Sequence, residues 1–300
     1  GWNVAAGRWD AVTRVGAVAM TTAKLLPAPL VTAVTDLGRI VIGSDDVPRY
    51  DRGLPRGGVR RRPREAADAV AVYVPSCIGS LFGPAESSQG VREAFLALCE
   101  RAGVAVAIPE GVESLCCGTP WTSKGNPRGH RTMADTALPV LRVATRGGEL
   151  PVISDGVSCT EGFLHLTDGA GFTVVDAVEF VEREVLPLLT VRRPLESVAV
   201  HPTCSSTHLG VTDPMVRVAR AISDDVVVPV DWGCCGFAGD RGMLHPELTA
   251  SATRAEAAEL AGREFAAYAS ANRTCELGMT RATGRPYRHI LELLDDATRP

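Results

Sequence analysis

Leu115-Cys116-Cys117-Gly118 and Gly233-Cys234-Cys235-Gly236 are two versions of one stretch, an adjacent cysteine pair closed by glycine. Each sits about midway between two further cysteines: Cys77 and Cys159 around the first pair, Cys204 and Cys275 around the second. The order C…CCG…C therefore occurs twice, and only Cys99 stands outside it. The flanks repeat as well. Val72-Tyr73-Val74-Pro75-Ser76-Cys77 matches Val198-Ala199-Val200-His201-Pro202-Thr203-Cys204 in kind, a β-prone run followed by proline, a hydroxyl residue and sulfur. Ser158-Cys159 is answered by Thr274-Cys275. Self-similarity of this kind sets the architecture before any local reading does. It predicts two copies of one α/β unit, each presenting four thiols.

The 300 residues are enough for a core in each copy, and a 45% apolar content is ordinary for a globular chain. A net charge of -4 gives no electrostatic reason to expect a nucleic-acid or membrane partner. No apolar run approaches the ~20 residues of a membrane helix. The opening Gly1-Trp2-Asn3, without methionine or a signal pattern, reads as the start of a fragment. Disulfide frameworks suit short secreted chains with small cores; paired cysteines in a long, well-filled chain point instead to metal or redox chemistry in a reducing cytoplasm.

Residues 1–65 are expected to be a helical segment and a basic linker. Residues 11–26 have apolar positions near a 3.6 spacing, Pro27 and Pro29 interrupt, and residues 30–42 suggest a second helix. Arg56, Arg60, Arg61, Arg62 and Arg64 could bind an anion, but a solvated linker explains them better. The first unit, residues 66–192, reads as strands at 69–74, 104–108, 151–154 and 172–175, with helices at 90–103, 132–146 and 176–189. The second, residues 193–300, reads as strands at 196–200, 226–230 and 265–269, with helices at 213–222, 246–262 and 288–297. The junction falls at Arg192-Arg193-Pro194. Strands alternating with helices predict mostly parallel sheets. In such sheets ligands collect beyond the carboxyl ends of the strands, where every cysteine of the repeat falls. Ser158 and Thr274 are expected to cap short helices, placing Cys159 and Cys275 at helix N-termini, where thiolates are favoured.

Four thiolates at one sheet edge could hold a [4Fe–4S] cluster or a zinc ion, or close as two disulfides. No CxxC knuckle of a zinc ribbon occurs. Adjacent cysteines reach different irons of a cluster more easily than one small tetrahedral ion. Chemistry alone ranks the cluster first, dithiol redox second and zinc third.

The doubled C…CCG…C pattern resembles the cysteine-rich (CCG) domain of the heterodisulfide reductase catalytic subunit, which also occurs in glycolate oxidase iron–sulfur subunits and anaerobic glycerol-3-phosphate dehydrogenase. More narrowly, Ser114 to Trp121, Gly233 to Gly242, His245 to Thr253 and Asn272 to Glu276 are similar to the C-terminal part of large FAD-linked D-lactate dehydrogenases. That resemblance implies an electron-transfer portion that follows a flavin domain and a ferredoxin-like pair of clusters and delivers to a quinone or cytochrome. Neither a glycine-rich pyrophosphate loop nor a CxxCxxC run is present, so FAD is expected only in a domain upstream. The full motif of that family ends in CxxC, whereas Gly162 and Gly278 stand in the last place here. The resemblance then implies one ordinary cluster per unit, on Cys77, Cys116, Cys117 and Cys159 and on Cys204, Cys234, Cys235 and Cys275, with zinc or nothing in one repeat as alternatives. It implies a cytoplasmic site of action, at most peripheral to a membrane.

Lesser candidates carry blander readings. Cys99 is expected to be a small core hydrophobe. His201 and His208 flank Cys204 and could replace a ligand, though a strand-end histidine is more often simply hydrogen-bonded. Gly236, Gly239 and Gly242 around Asp240-Arg241 fit tight turns better than an anion cradle. Trp121 and Trp232 are expected to shield the site, and Glu113 and Asp231 to be surface or capping groups.

Overall fold

A computed structural model describes residues 2–85 and 88–300; Gly1 lies outside the described residues. Two four-stranded parallel sheets organise it. The first has the order β2-β1-β3-β4, with β1 at Ala71–Tyr73, β2 at Val106–Ala107, β3 at Val152–Ser154 and β4 at Val174–Asp176. The second repeats that order as β6-β5-β7-β8, with β5 at Val198–Val200, β6 at Val226–Val227, β7 at Ala267–Ser270 and β8 at Tyr287–His289. The copies agree residue by residue. Val72 pairs with Val152 and Tyr73 with Ile153, as Ala199 pairs with Tyr268 and Val200 with Ala269. Carrying this register forward superimposes Cys77 on Cys204 and Cys159 on Cys275.

The strands are short and apolar because both faces are covered, as parallel sheets require. β1, β3 and β5 are wholly buried. One continuous core runs from Val72, Phe95 and Leu141 through Val200, Met215 and Val218 to Ile290 and Leu294. Each fully buried valine or leucine contributes about 1.5–3 kcal/mol. The units are also joined by charge: Arg101 Nη2 lies 2.8 Å from Oδ1 of Asp295, which is fully buried.

Several predicted boundaries move. The helix expected over 246–262 is two, Pro246–Ala252 and Arg254–Leu260, hinged at Thr253. That expected over 176–189 is helical only at Ala177–Phe180. It continues as a π turn and a short 3-10 turn, where Pro187 has no N–H to offer. The closing helix begins at Ile290, because Tyr287–His289 is an edge strand too short to show a period. The helix expected from 132 starts at Pro127, capped by Asn126, whose Oδ1 accepts from Gly129 N at 3.1 Å.

The N-terminal segment forms helices at Trp9–Leu25 and Ala28–Val41. Their predicted apolar stripe faces outward: Val15, Val18 and Leu25 are exposed, while Trp9 and Thr13 turn inward. The basic stretch after them is not wholly solvated, since Arg61 is buried. Among the described residues no helix is long and apolar enough to cross a membrane.

Candidate functional site

Both sheets deliver their cysteines to their carboxyl-terminal edge. The order 2-1-3-4 reverses direction between β1 and β3, and crevices form at such reversals. Cys77 follows β1 and Cys159 follows β3; Cys204 and Cys275 flank the matching reversal between β5 and β7. The cysteine pairs follow β2 and β6 and close over the crevice.

Local chemistry fixes each thiol. Cys77 caps the short helix Ile78–Leu81. Cys204 opens the helix Cys204–His208, held by a reciprocal cap in which Thr203 Oγ1 accepts from Ser206 N and Ser206 Oγ accepts from Thr203 N. Cys159 and Cys275 are each the third residue of a helix, Val157–Leu166 and Arg273–Thr283. The caps expected at Ser158 and Thr274 are instead at Gly156 and Asn272, two residues earlier. The thiols remain in the first turn, among free N–H groups.

The glycine of each CCG is required by backbone shape. Gly118 has φ +82° and Gly236 φ +66°, a left-handed conformation that glycine adopts freely. Gly162, in the place of a final cysteine, is required by space, and Gly278, in the matching place, is closely packed. A Cβ on Gly162 would lie 2.3 Å from Thr119 Oγ1 and 2.9 Å from Cys117 Sγ, and one on Gly278 would lie 3.2 Å from Cys235 Cβ. In both repeats the helix carrying the last cysteine packs directly on the cysteine pair.

The sulfurs meet in short contacts. Cys77 Sγ lies 3.7 Å from Cys116 Sγ, and Cys117 Sγ lies 3.2 Å from Thr119 Oγ1. In the second repeat Cys235 Sγ lies 3.2 Å from Cys275 Sγ. Contact with Cys116 and then Cys159 holds Cys117 well below the usual thiol range. Contact with Cys235, then His201 and Asn272, lowers Cys275 to about 6 despite its burial. Burial pushes Cys116 up, and Cys117 does the same to Cys159. Each set thus places a lowered thiol beside a raised one. All four sulfurs of the first set are buried, whereas Cys204 and Cys234 are exposed. Among the described residues no three His, Cys, Asp or Glu side chains are arranged as a single-ion site. Four sulfur donors on one sheet edge nevertheless fit the needs of an iron–sulfur centre in donor type and number.

Residues other than the cysteines complete the first site. Arg61 donates to the carbonyls of Pro75 (3.1 Å), Glu113 (3.0 Å) and Leu115 (2.8 Å), tying the loop before Cys77 to the loop before Cys116. Asp155 accepts from Tyr73 Oη at 2.6 Å and from Ser76 N at 2.7 Å, joining the ends of β1 and β3. Trp9, buried beside Cys77, helps lower its thiol after Cys116 and Arg61. Sequence reasoning placed Arg61 only in a basic linker and missed Trp9 and Asp155: Trp9 and Arg61 lie far from any cysteine in the chain, and Asp155, four residues before Cys159, carries no motif.

The lesser candidates separate. Cys99 is 1% exposed, and burial pushes it up to about 12, as for a core thiol. Trp121 is buried and donates to the Trp2 carbonyl at 2.8 Å. Trp232 is only partly buried. Gly236 and Gly239 form left-handed turns, and Asp240 pairs with Lys124 at 2.9 Å. Glu113 pairs with Arg60 at 3.4 Å, and Asp231 is exposed. His208 is at the surface, 3.3 Å from Glu161, whereas His201 is fully buried. Between the repeats lies a cavity of about 90 Å³, lined in part by Asp155, Arg273, Glu276, His289 and Glu292.

The family described as "CCG: Cysteine-rich domain" matches this chain twice, over residues 70–161 and 198–280. No curated protein matches it significantly.

Proposed function

This chain belongs to the cysteine-rich (CCG) domain family, and on that premise we propose that it is the iron–sulfur electron-transfer portion of an FAD-dependent 2-hydroxy acid dehydrogenase of the D-lactate or glycolate class. Family membership by itself makes it a redox or metal-binding module of the oxidoreductase kind. The observation that carries the finer reading is the doubled donor set at two matching crevices.

Cys77, Cys116, Cys117 and Cys159 would hold one centre, and Cys204, Cys234, Cys235 and Cys275 the other. A bound [4Fe–4S] cluster supplies one-electron storage. The chain's own part is to bind, to exclude water and to set the charge around the sulfurs. In the first repeat burial does this, with Arg61 and Trp9 beside Cys77. Electrons would arrive from flavin and ferredoxin-like domains of a parent protein and leave to a quinone or cytochrome, in the cytoplasm or at the inner face of a membrane. The outward apolar stripe of Leu30, Val34, Leu37 and Val41 offers such a domain a docking face.

The test is iron, zinc and acid-labile sulfide per chain, on protein prepared without oxygen, with EPR of both redox states. Iron and sulfide in the ratio of a cubane, with a signal on reduction, support the reading. Zinc without sulfide moves it to a structural role. The 3.2 Å contact of Cys235 with Cys275 favours a second reading, a thiol–disulfide module. Metal-free protein whose thiols oxidise reversibly in pairs, and which loses that in Cys235→Ser, would establish it.

A further inference from the structure

We propose that Asn272 is a positioning residue of the second centre: its side-chain amide donates to the sulfur of Cys275 and is held in that orientation by Ser158 of the first repeat. The inference rests on the reading that the cysteine sets hold iron–sulfur centres. It starts from an asparagine in a capping position that does not cap. An asparagine just before a helix ordinarily turns its side-chain oxygen back onto the first free N–H groups. Asn272 stands there before Arg273–Thr283, in extended backbone, and its side chain makes no such bond. The residue is nonetheless buried, at 6% exposure.

Both ends of the amide are engaged where the repeats touch. Oδ1 accepts from Ser158 Oγ at 3.1 Å. Nδ2 donates to Thr274 Oγ1 at 3.3 Å and to Cys275 Sγ at 3.8 Å. A sulfur bound to metal can only accept. The NH2 end must then face Cys275, and the oxygen end must face a donor, which Ser158 supplies. At the matching position of the first repeat, three residues before Cys159, stands Gly156. A Cβ there would lie 3.5 Å from Asn272 Oδ1 and 3.6 Å from Cys159 Sγ. The bare glycine leaves this spot open, and the Asn272 oxygen borders the same small space as the Cys159 sulfur. A single amide thus joins the residue beside Cys159 to the sulfur of Cys275.

Reduction puts negative charge on the ligand sulfurs, and a donor on one of them favours the reduced state. Hydrogen bonds to sulfur accordingly raise the potential of an iron–sulfur centre. Asn272 sets the potential of the second centre in this way, and Ser158 acts through Asn272, as groups behind a ligand orient it and tune the metal.

An EPR-monitored redox titration of the anaerobically reconstituted chain tests this. Cys235→Ala, which takes a ligand from the second repeat, identifies that repeat's signal. Asn272→Ala should lower the midpoint potential of the second centre. Asn272→Asp should lower it further, because the carboxylate fills the same space, offers no donor and adds negative charge. A merely space-filling role predicts the opposite ranking, with the Asp variant close to the parent. Ser158→Ala should lower the same midpoint by less. In both Asn272 variants the first centre's midpoint should move less than the second's. A second midpoint unmoved in the Asn272 variants overturns the inference and leaves the iron–sulfur reading intact. Should those variants lose the cluster, an unmoved midpoint in Ser158→Ala overturns it. A chain that binds no iron or sulfide overturns both.

Discussion

Ser158 Oγ donates to Asn272 Oδ1 across 3.1 Å, so the helices carrying Cys159 and Cys275 begin against each other. The adjoining backbone agrees: Val157 N donates to Ala271 O at 3.3 Å. The repeats thus touch at the starts of their last cysteine-bearing helices. The cavity beside them, which carries the charged side chains of Asp155, Arg273, Glu276 and Glu292 on a largely apolar wall, is roomy enough for a few waters.

Thiol accessibility should split the cysteines. In metal-free native protein, iodoacetamide with mass spectrometry should label exposed Cys234 first, its thiol lowered by contact with Cys204 and Cys235, and then Cys204, exposed but raised by Cys234. Cys77, Cys116, Cys117 and Cys159 should lag, and Cys99 should react last, being 1% exposed and pushed up to about 12. Early labelling of the first set would mean that its burial is not maintained in solution.

The helix glycines should be sensitive in a graded way. Gly162→Ala meets atoms at 2.3 and 2.9 Å and should cost about 1–3 kcal/mol in urea unfolding. Gly278→Ala, whose tightest contact is 3.2 Å, should cost less. The reverse order would show that the first helix can shift away from Cys117 at little cost.

Arg61→Ala strips three carbonyls of a buried charged donor, and a loss of roughly 3 kcal/mol or more is expected. The damage should be local. Metal bound by the first repeat should fall, while labelling of Cys204 and Cys234 stays as in the parent chain. Equal losses in both repeats would contradict this.

Matching strand ends should respond to pH with opposite signs. Asp176 and His289 occupy equivalent positions, and each side chain accepts from the backbone N–H two residues on. Burial raises Asp176 to about 7 from 3.8, so the folded chain holds the extra proton. Its contribution is greatest below pH 4, falls through the window up to 7 and is absent above it, by roughly 4 kcal/mol at most. Burial lowers His289 to about 3 from 6.5, so its contribution is complete above 6.5 and lost as pH falls toward 3. Asp176→Asn, which keeps the cap, should remove the falling limb between pH 4 and 7. An unchanged stability profile, followed by urea midpoints, would refute the assignment.

The repeat, the parallel α/β class and the gathering of eight cysteines at two sheet edges were all determined by the sequence alone. Those features follow from local signals: β-prone runs of buried residues, helix starts and stops, and the topological rule for ligand crevices. The edge strand Tyr287–His289 was not legible, because three residues carry no period. Nor were the true caps Gly156 and Asn272, since several hydroxyl and amide residues near each helix start compete for one role. Tertiary structure alone decided which distant groups reach the sulfurs. Arg61 and Trp9 come from other elements, and nothing in their neighbourhoods marks them. His201 and His208 look alike beside Cys204, yet one is sealed against Glu256 and the other lies in solvent. The difference is burial, which arises only when the helix Arg254–Leu260 packs its carboxylate over the end of β5.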